Sequence, residues 1–183
     1  MSSAKGRKSK PSGPQQSEGN FIETVINVRR VAKVIKGGRR FAFSALVVVG
    51  DGEGSVGIAL GKGRDVSAAI SKALRRARKN MVSVPLYRTT IPFTVLGKHG
   101  ASSVLIRSAS KGTGVIAGGA VRAVMEAIGV RDVLAKSIGS GNPQNTVKAT
   151  LDALSQLRSA QHLARLRGKT VNELIGKEDV TTA

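Results

Sequence analysis

The sequence predicts an α+β protein made of two small domains. Three observations carry this. Runs rich in Val and Ile alternate with glycine-rich turns as far as residue 60. Apolar residues then repeat at helical spacing over 66–81, and beyond Pro85 shorter strand-like and helix-like segments alternate.

The elements follow in order. Residues 1–20 hold four basic residues among many Ser, Gly and Pro, with no apolar period. They are expected as a disordered basic arm that either lies along phosphates or is a simple tail. Residues 22–35 predict a long strand interrupted by Arg29, Arg30 and Lys33. In Lys36-Gly37-Gly38-Arg39-Arg40 two glycines permit positive φ, which predicts a hairpin tip with a basic rim. Phe41–Val49 is expected as a second strand, Gly50–Gly54 as a second turn and Ser55–Leu60 as a third strand. Gly61-Lys62-Gly63-Arg64 is expected as a basic loop, with Asp65 at the N-cap of the helix that follows. That helix has an apolar face of Val66, Ala69, Ile70, Ala73, Leu74, Ala77 and Met81. Lys72, Arg75, Arg76, Arg78 and Lys79 occupy much of its remaining surface. The first domain, 21–85, is thus three antiparallel strands and one helix.

The second domain, 86–160, is expected to open with strands at Ile91–Leu96 and Ser103–Ala109, joined by a turn at Gly97–Gly100. A loop, Ser110–Gly114, leads into a helix near Ile116–Ile128, with Gly129 as its C-cap. Val133–Ile138 is a strand. Asn142 and Pro143 then suit the N-cap and first position of a helix with Val147, Leu151, Leu154 and Leu157 on its buried side. Residues 161–183 form a basic tail in which Thr170 and Glu173 match a capping box for a short last helix.

Charge narrows the function. Among 183 residues, 30 Lys and Arg face 11 acids, a net charge of +19. Such an excess repels itself and calls for a polyanion. Residues 1–85 carry 17 of the cations against 5 acids, so contact should concentrate there. A membrane partner is not expected. The longest apolar run, about Phe41–Val49, falls well short of the ~20 residues of a spanning helix, and no apolar stretch follows the basic start, as a secretory signal would require. The absence of Cys excludes disulfides and thiolate metal sites, which suits a reducing compartment. Only Phe21, Phe41, Phe43, Tyr87 and Phe93 are aromatic, most of them inside apolar segments, too few for a base-stacking platform. The expected contacts are therefore with phosphates, sugars and helix shape.

The glycine motifs do not indicate a nucleotide enzyme. Gly52–Gly57 fits G-x-G-x-x-G but lies between two strands, where no helix N-terminus can hold a pyrophosphate. Gly57–Gly63 resembles a phosphate loop, yet it has three residues between its glycines instead of four and Gly63 in place of the Ser or Thr. Gly61–Arg64 still suits a backbone phosphate. The Lys111–Gly119 cluster is either a close-packed loop and helix contact or a surface that another macromolecule approaches. Two histidines, His99 and His162, and scattered acids supply no catalytic constellation, and no metal or cofactor is expected.

Two long stretches carry a family likeness. KGGRRF (36–41), GDGEGSVGIALGKGRDV (50–66) and ARKNM (77–81), together with GTGVIAGGAVRAVMEAIGVRDVLAKSIGSGNP (112–143), resemble the bacterial family of ribosomal small-subunit protein five over residues 21–168. The resemblance implies a first domain like a truncated double-stranded-RNA-binding domain. It implies a second domain with a left-handed β-α-β crossover, against the usual hand. It further implies a cytoplasmic structural protein of the small ribosomal subunit that binds its RNA and supports assembly and decoding accuracy near the messenger RNA entry path. Its implied neighbours are small-subunit proteins four and eight. Carried onto this chain, Arg29, Arg30, Lys33, Lys36, Gly37, Gly38, Arg39 and Arg40 reach toward ribosomal RNA. Lys62, Arg64, Arg75, Arg76 and Lys79 add backbone contacts, and Asn142 opens a helix near RNA. Lys111, Gly112, Thr113 and Gly114 resemble the part facing protein four. The alternatives are a free double-stranded-RNA binder or RNA chaperone resting on the first domain, and an enzyme built on the second, which the poor inventory of acids and His opposes.

Overall fold

The computed structural model describes residues 21–171 and 173. β1 (Ile22–Ile35), β2 (Gly38–Gly50), β3 (Ser55–Gly63) and a short β4 (Met81–Ser83) form an antiparallel sheet in that order. α1 (Val66–Lys79) lies on one face of it. β5 (Val95–His99), β6 (Ser102–Ser108), β7 (Val115–Ile116) and β8 (Val133–Gly139) form a second sheet ordered β5-β6-β8-β7. β7 and β8 run parallel and are joined through α2 (Gly119–Ile128), which supplies the β-α-β crossover. α3 (Pro143–Ser155) packs on β5 and β6, and α4 (Ala160–Arg167) follows.

Strand alternation divides β2 between two cores. Ala45, Val47 and Val49 face α1 and meet Ala69, Ala73 and Ala77. Leu46 and Val48 face the other way, into a core shared with Val104, Ile106, Val124, Met125, Ile128, Val147 and Leu154. One apolar core therefore spans both sheets, with α2 between them.

The expected loop at Gly61–Arg64 is a correction. Gly61, Lys62 and Gly63 stay in β3, paired with Ala45, Ser44 and Phe43. The glycines serve the helix above them: a Cβ on Gly57 or Gly61 would lie 2.1 Å from the Ala77 or Ala69 carbonyl oxygen. The turn expected at Gly97–Gly100 is corrected in the same way. Gly97 and Lys98 belong to β5, the turn is Gly100–Ala101, and a Cβ on Gly97 would lie 2.1 Å from the Ala149 oxygen of α3. Glycine inside a strand here marks close approach of a helix backbone, at Ala69 and Ala77 of α1 and at Ala149 of α3.

Other expectations change in detail. Residues 115–116 form β7, so α2 starts only at Gly119. β4 adds a fourth strand to the first sheet. Residues 160–167, too irregular in sequence to suggest a helix, form α4, where Ser159 Oγ accepts from the His162 N–H at 3.2 Å. Asp65 occupies the N-cap of α1 but its side chain makes no capping bond, whereas Asn142 accepts from the Gln144 N–H. The Glu173 N–H donates to Thr170 Oγ1 at 3.4 Å. The rest of that last helix and the arm at 1–20 lie outside the described residues.

The hairpin 50–54 joins the first sheet to α2. Asp51 Oδ1 accepts from the Glu53 and Ser55 N–H groups at 2.9 and 2.8 Å. Burial opposes ionisation of this carboxyl, but these two N–H groups, with the Ser55 hydroxyl and the N–H of Asp51 itself, together outweigh it and hold it below its ordinary value. The turn so shaped presents the Gly52 and Gly54 N–H groups to the Ala127 and Ile128 oxygens at the end of α2, at 3.1 and 3.0 Å.

Replacing Gly61 by Ala overpacks the α1 contact and is expected to cost about 1–3 kcal/mol. Gly141, with open space around it and an ordinary φ, serves as the control, and Gly141→Ala should stay within about 0.5 kcal/mol. Urea midpoints of the two variants, at unchanged m-value, check the difference.

Candidate nucleic-acid interface

Three basic features arise from this fold. The first is a ribbon. β3 covers β2 only from Phe43 to Gly50, so β1 and β2 continue alone from 31 to 42. Alternation distributes the cations over both faces. Arg30 and Arg39 share the face of Phe43; Arg29, Lys33 and Arg40 share the other. Lys36 and Gly37 form the tip, with Gly37 and Gly38 at φ of +89° and +155°. Phe41 is exposed rather than interior, and the Arg30 guanidinium sits 4.5 Å from its ring centroid. Tyr87 and Phe93 are exposed too.

The second is a groove of about 590 Å³ between α1 and the end of β3. Lys62, Lys72, Arg75, Arg76 and Lys79 line it together with Ser71, and no acid does. The α1 cations recur every three to four residues and so stack on one helix face. β4 pairs with β3 only at Ser55–Gly57, which leaves the edge beyond open. Arg76 Nη1 donates to the Leu60 oxygen of that edge at 3.2 Å and is thereby held in the groove. Lys72 is a groove residue that the family likeness does not supply. Arg64 stands in the bend before α1, outside the lining. Arg78 is engaged elsewhere, 2.6 Å from Glu23 and over Phe21.

The third is a cleft of about 200 Å³ between the first sheet and the start of α3. Val31, Leu46, Leu60 and Pro143 supply apolar walls; Asn27, Arg29, Asn142 and Gln144 supply polar groups. Asn142 is thus brought beside Arg29, with its oxygen occupied by the Gln144 N–H.

The loop Lys111–Gly114 stands apart from all three. Gly112 and Gly114 have φ of +92° and +78°, and a Cβ on either would meet open space within the chain. Glycine is needed there for its backbone conformation and not for want of room inside the molecule. Asp132, which sequence reading passes over as a lone acid, organises this loop. Its buried carboxylate accepts from the Gly112 and Gly114 N–H groups at 2.9 and 3.1 Å. The Gly114 N–H, then the Thr89 hydroxyl, then the Gly112 and Thr113 amides hold the carboxyl below its ordinary value of 3.8, against the effect of burial.

His99 ends β5 and His162 lies in α4, both exposed. Among the described residues no three His, Cys, Asp or Glu gather as metal ligands. No described helix is long and apolar enough to cross a membrane.

The family profile described as "Ribosomal protein S5, N-terminal domain" matches residues 21–85, and "Ribosomal protein S5, C-terminal domain" matches 97–167. A protein of Lawsonia intracellularis named small ribosomal subunit protein uS5 is 60% identical over 155 residues, 85% of this chain and 95% of its own length. Proteins of the same name from Syntrophobacter fumaroxidans and Nitrosococcus oceani are each 55% identical, over 87% and 85% of this chain and 96% and 92% of theirs.

Asp132→Asn is expected to destabilise the chain near neutral pH, because the amide lacks the charge that the loop N–H groups favour. A carboxyl held low in the folded state contributes stability that is present above its unfolded value and lost as pH falls through the folded one. The gap between wild type and variant in denaturant titrations should therefore stay constant down to about pH 5 and close below 3.8.

Proposed function

This chain belongs to the ribosomal protein S5 family, and on that footing we propose that it is a structural constituent of the small ribosomal subunit. It has no enzymatic role; the family is structural. It acts in the cytoplasm, bound to small-subunit ribosomal RNA. The observation that carries this reading is the acid-free groove of Lys62, Lys72, Arg75, Arg76 and Lys79. Unpaired cations at helical spacing follow a phosphate backbone without reading sequence. The ribbon extends the same chemistry through Lys33, Lys36, Arg39 and Arg40. Its exposed Val34 and Phe41, at 73% and 51%, need cover that a two-stranded ribbon cannot give itself.

The finer assignments follow the family likeness. Residues 21–85 are the RNA-facing domain, and Arg29, Arg30, Arg64 and Asn142 add contacts at its margins. The second domain faces neighbouring proteins. In support, Leu96, Ile116 and Ile138 are each more than half exposed on the sheet face that no helix covers. The Lys111–Gly114 loop, pinned by Asp132, lies at the β7 edge of that sheet and presents a fixed backbone to a partner, small-subunit protein four in this reading, with protein eight nearby. Decoding accuracy and closeness to the messenger RNA entry path belong to the same proposal.

Sedimentation of cell lysate at moderate and then high salt tests the role. The chain should stay with the small subunit at one copy each; migration in light fractions while other subunit proteins remain bound would instead favour a free RNA binder. Arg39→Ala and Lys72→Ala should each lower the slope of log affinity against log salt by about one, since each removes one phosphate contact. An unchanged slope would place that side chain in solvent.

A further inference from the structure

We propose that the cleft between the first sheet and the start of α3 holds one unstacked nucleobase of the bound RNA, so that this chain makes a base contact as well as backbone contacts. The proposal rests on the RNA-binding reading above and adds a site of different chemistry.

Size comes first. At about 200 Å³ the cleft is smaller than the roughly 300–1,000 Å³ of pockets for drug-sized ligands. It suits a single planar ring. Its walls fit one as well: Leu46, Leu60 and Pro143 present aliphatic surface, and the Arg29 guanidinium offers a plane on which a base can stack.

The polar groups point to the same ligand. The side chains of Asn27 and Gln144 make no hydrogen bond to any described residue, although both line the cleft. Asn142 has its oxygen engaged by the Gln144 N–H and keeps its amide NH2 for donation. A side-chain amide carries a donor beside an acceptor, the complement of an adenine edge. An apolar side chain from a neighbouring protein would desolvate these amides without satisfying them. A Lys or Arg would be driven off by Arg29. No acid lines the cleft.

Access follows from the ribbon. Arg29, Lys33 and Arg40 share the ribbon face that runs into the cleft. An RNA strand following those cations arrives at Arg29 with a base beside Asn27 and Gln144.

The test uses small subunits reconstituted with the full chain. Short-wavelength irradiation forms bonds only between a base and a side chain in contact. The expected result is a nucleotide adduct on the peptide spanning 27–31 or on the one bearing Pro143 and Gln144. Chemical probing should show one base, an adenine by the amide argument, shielded on its hydrogen-bonding edge by the wild-type chain and exposed with Asn27→Ala/Gln144→Ala. The double variant should bind the deficient subunit about tenfold more weakly, with an unchanged salt slope because no phosphate contact is removed. The adduct is read on the unaltered chain and so does not depend on how the variant folds. No adduct on either peptide, together with wild-type affinity of the double variant, overturns the proposal. So does a link from the cleft to a neighbouring protein. If Lys72→Ala lowers the salt slope while the cleft gives no adduct and the double variant binds as wild type does, the RNA-binding reading stands and the cleft alone fails. If the chain also migrates in light fractions while other subunit proteins stay bound, both fail.

Discussion

The contact between the 50–54 hairpin and the last turn of α2 fixes everything else in the molecule. The final carbonyls of a helix lack partners within it and carry partial negative charge. Gly52 and Gly54 donate their N–H groups to two of them, at Ala127 and Ile128. The approach is close enough that a Cβ on Gly50 would lie 2.0 Å from the Ala127 oxygen, and one on Gly129 2.0 Å from the Gly52 oxygen. Backbone meets backbone, so the join has none of the rotamer freedom of a side-chain interface. Once it closes, Leu46 and Val48 of the first sheet share a core with Val124, Met125 and Ile128 of α2. The width of the cleft, and the placing of the ribbon relative to the Asp132-bound loop, follow from that one seam.

The charges lie outside the seam and are largely uncompensated. Among the described residues only Arg78–Glu23 and Arg122–Glu126 form ion pairs. Both are exposed, and such pairs contribute little to stability. Arg76 is turned toward the edge of β3 by the Leu60 carbonyl. The remaining groove and ribbon cations repel one another in the free protein. That repulsion, with the exposed Val34 and Phe41 of the ribbon, describes a surface that is completed by a polyanion.

Period and cap chemistry made much of this legible in the sequence. β1, the two hairpins, the Ala face of α1 and the Asn142-Pro143 start of α3 all follow from local pattern. Glycine misled at Gly61 and Gly97, because its sequence signal is the same whether the chain must turn or a helix must lie close. β7 has two residues, too few to display a period. Asp132 carried no signal, since a lone acid gains its role only when a loop twenty residues away folds onto it. Lys72 was visible as part of the basic face of α1, but its place in the groove depends on the open edge of β3. The cleft was invisible in principle: its lining comes from around residues 27–31, 44–60 and 142–144, and no local pattern links them.

These features divide the work of recognition. Phosphate contacts set register and orientation; base contacts carry sequence information. The groove and ribbon draw on the first sheet and α1 and take no residue from the second domain. The cleft does, because Asn27 and Arg29 stand on β1 while Asn142 and Gln144 open α3. A base held there would be read only when the glycine seam has already fixed the first sheet against the helices of the second domain. Rigidity in a backbone-to-backbone seam, Gly50 to Gly54 against Ala127 to Gly129, is therefore what would turn a salt-sensitive cationic surface into one that discriminates its position on the RNA.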